Sequence, residues 1–244
     1  MNYVLITVGG IALCSFAGAV IGFLFEDIPP SVEDTVSGCA AGIMLCAAVL
    51  GLVIPAVEFS GNGDWWIPTV GIFCGALFLS LVNRAGPRLT DKLGMKSGSG
   101  RALAFVAAIA IHHFPEGIAA GVSFGTGDLT DAVTVVSGIA VQNIPEGMII
   151  IPPLLKNGAG RKRAALVALI SGGVEVLGVF FGYFAVTLST AILPFALAFA
   201  AGTMLFVIID DMVPQTHAHS HGRLATYAAL AGFCAMLIIN CFFE

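Results

Sequence analysis

The sequence predicts an all-α polytopic membrane protein with eight transmembrane helices. Of its 244 residues, 58% are hydrophobic and only 10% are charged, and the mean hydropathy is +0.98. A soluble domain carries about 25% charged residues, so this composition argues against a water-soluble enzyme. Apolar runs long enough to cross about 30 Å of hydrocarbon follow one another along the chain. All ten lysine and arginine residues lie in three of the loops between these runs.

The predicted spans are separated by polar, Gly-rich or Pro-rich breaks. They cover residues 3–24, 36–58, 65–83, 102–125, 132–154, 163–188, 191–211 and 223–243. The breaks include the acidic FEDIPPSVEDT, the Gly-rich FSGNGD, the basic KNGAGRKR and the His-rich THAHSHGR. No positively charged segment precedes the first span, which favours a retained helix over a signal peptide. We therefore expect residues 1–244 to form a single transmembrane domain.

The charges of the loops predict the orientation. Five basic residues lie between spans 3 and 4, four between spans 5 and 6, and one between spans 7 and 8. Eight spans put these three loops on one side, which the positive-inside rule makes cytoplasmic. We expect both termini on the outer side of a bacterial inner (plasma) membrane. The net charge of −5 and the lack of a CxxC pair among the six cysteines argue against nucleic-acid binding and a zinc knuckle.

Several polar and acidic side chains lie inside the predicted spans. They are His112, His113, Glu116, Gln142, Asn143, Glu146 and Glu175 in spans 4 to 6, with Asp210 and Asp211 at the end of span 7. A carboxylate near the bilayer centre costs about 2.5–3.5 kcal/mol even on forgiving insertion scales. Apart from Arg163 and Arg223 at the first positions of their spans, no lysine or arginine lies within a span. Bound protons, protonated histidine or a metal cation must therefore neutralise the glutamates.

Spans 4 and 5 carry two copies of one pattern, HHFPEGIAAG and QNIPEGMIII. His112 and Glu116 are four residues apart, hence about 6 Å apart on one helix face, and the second copy repeats this spacing. Because the proline in each copy lacks an N–H, we expect helices 4 and 5 to be broken at the centre of the protein, as in many transporters. Imidazole, carboxylate and amide oxygen suit Zn²⁺ and also Fe²⁺, Mn²⁺ or Cd²⁺. A purely structural hydrogen-bond network is the alternative interpretation.

The paired PEG strings resemble the ZIP (Zrt-, Irt-like) metal transporter family, and the glutamine of the second copy resembles its GufA-type prokaryotic branch. Further similarity to the family's second, sixth and seventh spans lies in AAGIMLCAAVLGLVIPAVE, SGGVEVLGVFFG and AAGTMLFVIIDDMVP. The resemblance implies a carrier that brings divalent metal, above all Zn²⁺, into the cytoplasm by alternating access. The metal is then the transported substrate, no prosthetic group is expected, and a homodimer is the default assembly.

The resemblance also implies a binuclear metal site halfway across the membrane. The ligands it implies for the first metal are His112, Glu116, Gln142 and Glu146, with Met44 as a soft ligand from span 2. The second metal would share the two glutamates and add Asn143 and Glu175. The family's usual asparagine after the first histidine is His113 here, so whether one or two metals bind stays open. The resemblance also implies Asp211 as a release ligand at the inner end of span 7. Asp210 and the alternating histidines of the loop after span 7, His217, His219 and His221, are auxiliary candidates, since a short His-rich tract can bind metal.

Two other functions would use the same carboxylates. A proton-coupled carrier of an organic solute would use them as relay groups, but it does not account for the His–Glu spacing or the neighbouring amides. An intramembrane metallohydrolase would use them for catalysis, but the HExxH pattern is absent. The sequence favours metal transport over both alternatives.

Overall fold

The computed structural model describes residues 2–24, 28–61, 63–92, 113–124, 129–156, 160–188, 190–216 and 222–243. Within these ranges the chain is almost entirely helical and has no strand, which confirms an all-α polytopic membrane protein. The helices are α1 (Asn2–Leu24), α2 (Pro30–Ser60), α3 (Trp66–Lys92), α4 (113–123), α5 (Leu129–Lys156), α6 (Arg161–Leu188), α7 (Leu193–Val207, continued by Ile208–Met212 and Val213–Thr216) and α8 (Gly222–Phe243).

Six of the helices in the described ranges are long and apolar enough to cross a membrane. The other two are α4, of which only residues 113–123 are described, and α5, which carries the polar residues Gln142, Asn143 and Glu146. Large apolar side chains such as Phe73 and Leu169 are exposed on the outside of the molecule. Such an apolar exterior is unusual for a soluble monomer and typical of a surface that faces lipid.

The proline of α5 acts differently from the prediction. The backbone of α5 stays helical through Pro145, so the predicted break is absent there. In α4 the turn before Pro115 lies outside the described residues, which are helical from 113 to 123. A proline inside a helix leaves the carbonyl four residues earlier without its backbone donor. Neighbouring helices make this tolerable at membrane depth, and α5 packs against helices on several sides.

Distorted turns occur instead in α2 and α7. A π-turn lies at Val49–Val53 just before Pro55, and another lies at Ile208–Met212 just before Pro214. Such turns are rare, and they change the hydrogen-bond pattern of a helix locally. The turn in α7 contains both Asp210 and Asp211, and Asp211 is partly buried whereas Asp210 is exposed.

The helices pack as two groups. In the first group, α1 packs on α5 and α6, and α4 packs on α6. In the second group, α8 packs on α2, α3 packs on α7, and α2 contacts α7. Glycines mark these crossings, because at each of them an added Cβ would meet the backbone of the partner helix. Examples, in chain order, are Gly18, Gly38, Gly42, Gly75, Gly117, Gly121, Gly178, Gly182, Gly202 and Gly232.

Among the helix pairs that the structure describes, the two groups meet where α2 packs against α5, and buried residues of α4 such as Ala120 share the main apolar core with Met44 of α2. At this boundary the atom nearest to an added Cβ belongs to a side chain, that of Val135 at Gly51 and that of Ala47 at Gly138. A buried hydrogen bond also crosses the boundary, from Oγ1 of Thr134 in α5 to Oδ1 of Asn240 in α8 at 2.6 Å. The polar side chains of α4, α5 and α6 therefore all belong to one group of helices, and α5 connects that group to the other.

Candidate metal centre

The polar residues of α4, α5 and α6 lie together in the interior. His113, Glu116 and Glu175 have exposed fractions of 3%, 1% and 0%, and Gln142 and Asn143 are equally buried. Glu146 is partly buried as a residue, although both of its carboxylate oxygens are buried. A group of acidic and amide side chains this deep in a membrane protein calls for a compensating partner.

Glycines set the distance between α4 and α6. An added Cβ at Gly117 would lie against the carbonyl oxygen of Glu175, and one at Gly178 would lie against the carbonyl oxygen of Phe114. The backbones are therefore in contact, which only glycine permits on both helices. This contact brings the side chain of Glu175 to the residues at the start of the described part of α4.

Glu116 lies between two partners. Its Oε1 accepts a hydrogen bond from Nε2 of Gln142 at 3.0 Å, and its Oε2 lies 3.3 Å from Nδ1 of His113. The same Nδ1 atom is 3.6 Å from Oε2 of Glu175. The imidazole of His113 therefore lies between two carboxylates that come from different helices.

Asn143 connects the cluster to a further helix. Its Nδ2 donates to both carboxylate oxygens of Glu175 at 2.8 Å and to Oγ of Ser15 in α1 at 3.0 Å. Ser15 in turn donates to the carbonyl oxygen of Ile11 at 3.0 Å. The side chains thus form one connected network across α1, α4, α5 and α6.

Several oxygen and nitrogen atoms converge in this network. One ligand atom from each of His113, Glu116 and Glu146 lies within 4.8 Å of the other two. The amide oxygens of Gln142 and Asn143 are buried and accept no hydrogen bond from any residue that the structure describes. A buried acceptor without a hydrogen-bond donor lowers the stability of the fold by about 1–3 kcal/mol. A bound cation is one of the partners that can remove this penalty. The donor set of imidazole nitrogen with carboxylate and amide oxygens fits a divalent metal of borderline softness.

The other predicted site residues are not part of this hydrogen-bond network or lie outside the described residues. Met44 is completely buried in α2 within the main apolar core, and Asp210 and Asp211 lie in the π-turn of α7. The remaining predicted residues, His112, His217, His219 and His221, lie outside the described residues. The structure therefore brings together His113, Glu116, Gln142, Asn143, Glu146 and Glu175.

Sequence reasoning missed Ser15, which is the contribution of α1 to the network. A single serine in an apolar span has no charge to single it out. The available signal is its spacing: Ser15, Gly18 and Gly22 lie on one face of α1. That face packs on α5, because added Cβ atoms at Gly18 and Gly22 would meet the carbonyl oxygens of Ile144 and Met148.

The amino-acid sequence is similar to those of several known proteins. A sequence model of the family described as "ZIP Zinc transporter" matches residues 86–240. The chain is 39% identical over 199 residues to the zinc transporter GufA of Myxococcus xanthus, covering 78% of each chain. It is 32% identical over 233 residues to the zinc transporter ZIPB of Bordetella bronchiseptica, covering 91% of this chain and 75% of the relative. It is also 42% identical over 315 aligned positions to the human zinc transporter ZIP11, covering 92% of each.

Proposed function

Because the chain belongs to the ZIP zinc transporter family, we propose that it is a membrane carrier that moves divalent metal ions, above all Zn²⁺, into the cytoplasm. The observation that carries the proposal is the buried convergence of His113, Glu116 and Glu146 within 4.8 Å. The relatives named above are transporters of zinc and are not enzymes.

Charge balance supports a cationic substrate. The buried part of the cluster contains the carboxyl groups of Glu116, Glu146 and Glu175, and no lysine or arginine lies between positions 102 and 155 of the sequence. His113 is the described side chain of the cluster that can carry a positive charge, and it contacts two of the carboxylates. A divalent ion supplies two positive charges at the point where these oxygens meet.

The donor types favour Zn²⁺ over hard cations. Zn²⁺ binds histidine nitrogen and carboxylate oxygen at about 2.0–2.2 Å, whereas Mg²⁺ and Ca²⁺ prefer oxygen-only sites. The same donors accept Fe²⁺, Mn²⁺ and Cd²⁺, which we propose as weaker substrates. The family resemblance adds two further ligands, His112 and Met44, to the first of the two metal positions that we assign next.

We assign two neighbouring metal positions that share Glu116 and Glu146. The first lies toward Gln142, whose amide oxygen is available. The second lies toward Asn143 and Glu175, where His113 takes the place of the family's usual asparagine. The hydrogen bonds support this division, because Gln142 bonds to one oxygen of Glu116 and His113 approaches the other.

Transport requires the site to open to each side in turn. The site residues lie in the helix group α1, α4, α5 and α6, which meets the other group along the contact of α2 with α5. We propose that this contact is where the two groups move relative to each other. Asp211, partly buried in the π-turn of α7, is then a ligand on the cytoplasmic exit path, with Asp210 and the histidines at 217, 219 and 221 as auxiliary groups.

The protein is an integral membrane protein, and we propose the bacterial inner membrane as its location. Basic residues at the end of α3 and at the starts of α6 and α8 support a cytoplasmic location of these helix ends, and we therefore propose that both termini lie outside. We propose a homodimer as the assembly, by analogy with the family.

The competing functions fit the structure less well. A carrier of an organic solute does not need the available amide oxygens of Gln142 and Asn143. The string GVSFG (121–125) has the spacing of a hydrolase nucleophile elbow, but that motif requires a turn from strand to helix. Ser123 instead lies within helical backbone, and its hydroxyl donates to the carbonyl oxygen of Ala120 at 2.8 Å.

Zinc uptake into proteoliposomes that contain the purified protein tests the proposal. We expect Glu146→Ala and His112→Ala each to nearly abolish uptake, because each removes a metal ligand. Asp64→Asn is the matched control, since this carboxylate is exposed in the loop between α2 and α3 and should leave uptake unchanged. Full activity in either ligand variant would contradict the proposed site.

A further inference from the structure

The hydroxyl of Ser15 donates to the backbone of its own helix. A serine hydroxyl has one proton to donate, and Ser15 gives it to the carbonyl oxygen of Ile11 one turn earlier, at 3.0 Å. Towards Asn143, whose Nδ2 lies 3.0 Å away, the Ser15 oxygen therefore acts as an acceptor. It bonds well to the nitrogen end of that amide and poorly to the oxygen end.

The carboxylate of Glu175 holds the same end of the amide. Both of its oxygens accept from Nδ2 of Asn143 at 2.8 Å, so the two N–H groups of the amide are directed to Ser15 and Glu175. Oδ1 therefore points away from both partners. It is buried and accepts no hydrogen bond within the part of the chain that the structure describes.

The backbone keeps Ser15 at this distance from Asn143. An added Cβ at Gly147 would meet the carbonyl oxygen of Ser15, and one at Gly18 would meet the carbonyl oxygens of Asn143 and Ile144. The two helices are thus in backbone contact on both sides of the hydrogen bond. Neither helix can move closer, so the contact of Ser15 with Asn143 is set by the fold and not by side-chain flexibility alone.

We propose that Ser15 is a positioning residue of the metal site, which holds the amide of Asn143 so that its oxygen faces the metal. The two ends of an asparagine amide are nearly the same in shape, and hydrogen bonds decide which end points where. An amide oxygen binds a cation, whereas the amide nitrogen would present N–H groups to it. This role rests on the proposed function, because it requires a metal ion beside Asn143.

Zinc binding by the purified full-length protein tests the role of Ser15. We expect Ser15→Ala to weaken zinc binding about tenfold, within the range of about 10–100-fold for outer partners of metal ligands. Ser15→Thr keeps the hydroxyl and should restore binding. Ser137→Ala is the matched control, since Ser137 also donates to a backbone carbonyl in its own helix, that of Thr134 at 3.2 Å, and should bind zinc like the wild type.

A second measurement separates positioning from mere support of the fold. Because Ser15 acts through Asn143, Ser15→Ala should cause no further loss of zinc affinity when it is added to Asn143→Ala. X-ray absorption of zinc-loaded Ser15→Ala should show fewer oxygen neighbours around the metal than in the wild type. If Ser15→Ala does not fold, Ser15→Cys, which replaces the oxygen by a weaker sulfur acceptor, takes its place in both measurements with the same expected loss.

The outcomes distinguish this proposal from the proposed function. Wild-type affinity in Ser15→Ala, or an equal loss in the presence and absence of Asn143, overturns the positioning role and leaves metal transport standing. Wild-type affinity in Asn143→Ala also overturns it, because Asn143 would then not be a ligand. Absence of zinc binding by the wild type contradicts the proposed function itself.

Discussion

Asn143 donates from Nδ2 to both carboxylate oxygens of Glu175, at 2.8 Å each. The partner of this buried carboxylate is therefore a neutral amide on the neighbouring helix, together with the imidazole of His113 at 3.6 Å. Hydrogen bonds to a charged acceptor are about twice as strong as neutral ones. These hydrogen bonds tie α5 to α6 through two buried side chains.

Removal of the charge of Glu116 should prevent metal binding. Glu116→Gln keeps the shape of the side chain but removes one of the two shared carboxylates, and we expect zinc affinity to fall by about 100-fold or more, beyond the usual effect of an outer partner. Elemental analysis of the purified protein after zinc loading measures this. The exposed-carboxylate variant Asp64→Asn should retain its zinc, and a zinc-replete Glu116→Gln protein would rule out the shared-carboxylate site.

The imidazole of His113 should control selectivity. His113→Asn replaces nitrogen by an amide oxygen, and because oxygen-only sites favour harder cations, we expect the preference for Zn²⁺ over Mn²⁺ to fall about tenfold. Competition between the two ions for the purified protein gives the ratio. An unchanged ratio would show that His113 does not coordinate the metal. A count of bound zinc in the same variant tests whether the second position depends on this residue.

The contact of α4 with α6 should be intolerant of a methyl group. Gly117→Ala would place a Cβ on the carbonyl oxygen of Glu175, so we expect a loss of stability of about 1–3 kcal/mol from overpacking and weaker zinc binding. Gly172→Ala, on α6, has no atom within 4 Å of the added Cβ. This control should be neutral or more stable by up to about 1 kcal/mol. Thermal unfolding in detergent compares them, and equal behaviour would refute the backbone contact.

The hydrogen bond between Thr134 and Asn240 should couple α5 to α8 across the boundary of the two helix groups. A double-mutant cycle with Thr134→Val and Asn240→Leu should give a coupling of about 0.6 kcal/mol, with a ceiling near 1.7 kcal/mol from other membrane proteins. Unfolding by a denaturing detergent measures the four free energies. Strict additivity of the two substitutions would mean that the 2.6 Å contact contributes no stability.

The orientation of the chain can be tested with topology reporters. We expect a reporter after the C-terminus of α8 to be active on the outer side. A reporter inserted at Gly160, the exposed residue before Arg161, should be active on the cytoplasmic side, because the basic residues that follow it resist translocation. The opposite pair of results would reverse the proposed direction of the whole chain.

The sequence by itself determined the class of the protein and the residue types of the site. Hydropathy, loop charge and intramembrane carboxylates are properties of single residues and short windows, so they are readable without a fold. The PEG repeat paired His112 with Glu116 and Gln142 with Glu146 along two helices. The lack of lysine and arginine beside them left protons, protonated histidine or a metal cation to neutralise the glutamates.

Only the tertiary structure decided which of these side chains meet. That Asn143 reaches both Glu175 and Ser15 depends on how α1 and α6 are rotated and how closely they approach, and glycines on several helices set this jointly. The break predicted in α5 is wrong, because the backbone stays helical through Pro145 where packing against neighbouring helices compensates for the missing hydrogen bond. The π-turns lie in α2 and α7 instead. The rotation and approach of the helices depend on many contacts between distant parts of the chain. A pattern within a single segment therefore cannot predict which side chains meet.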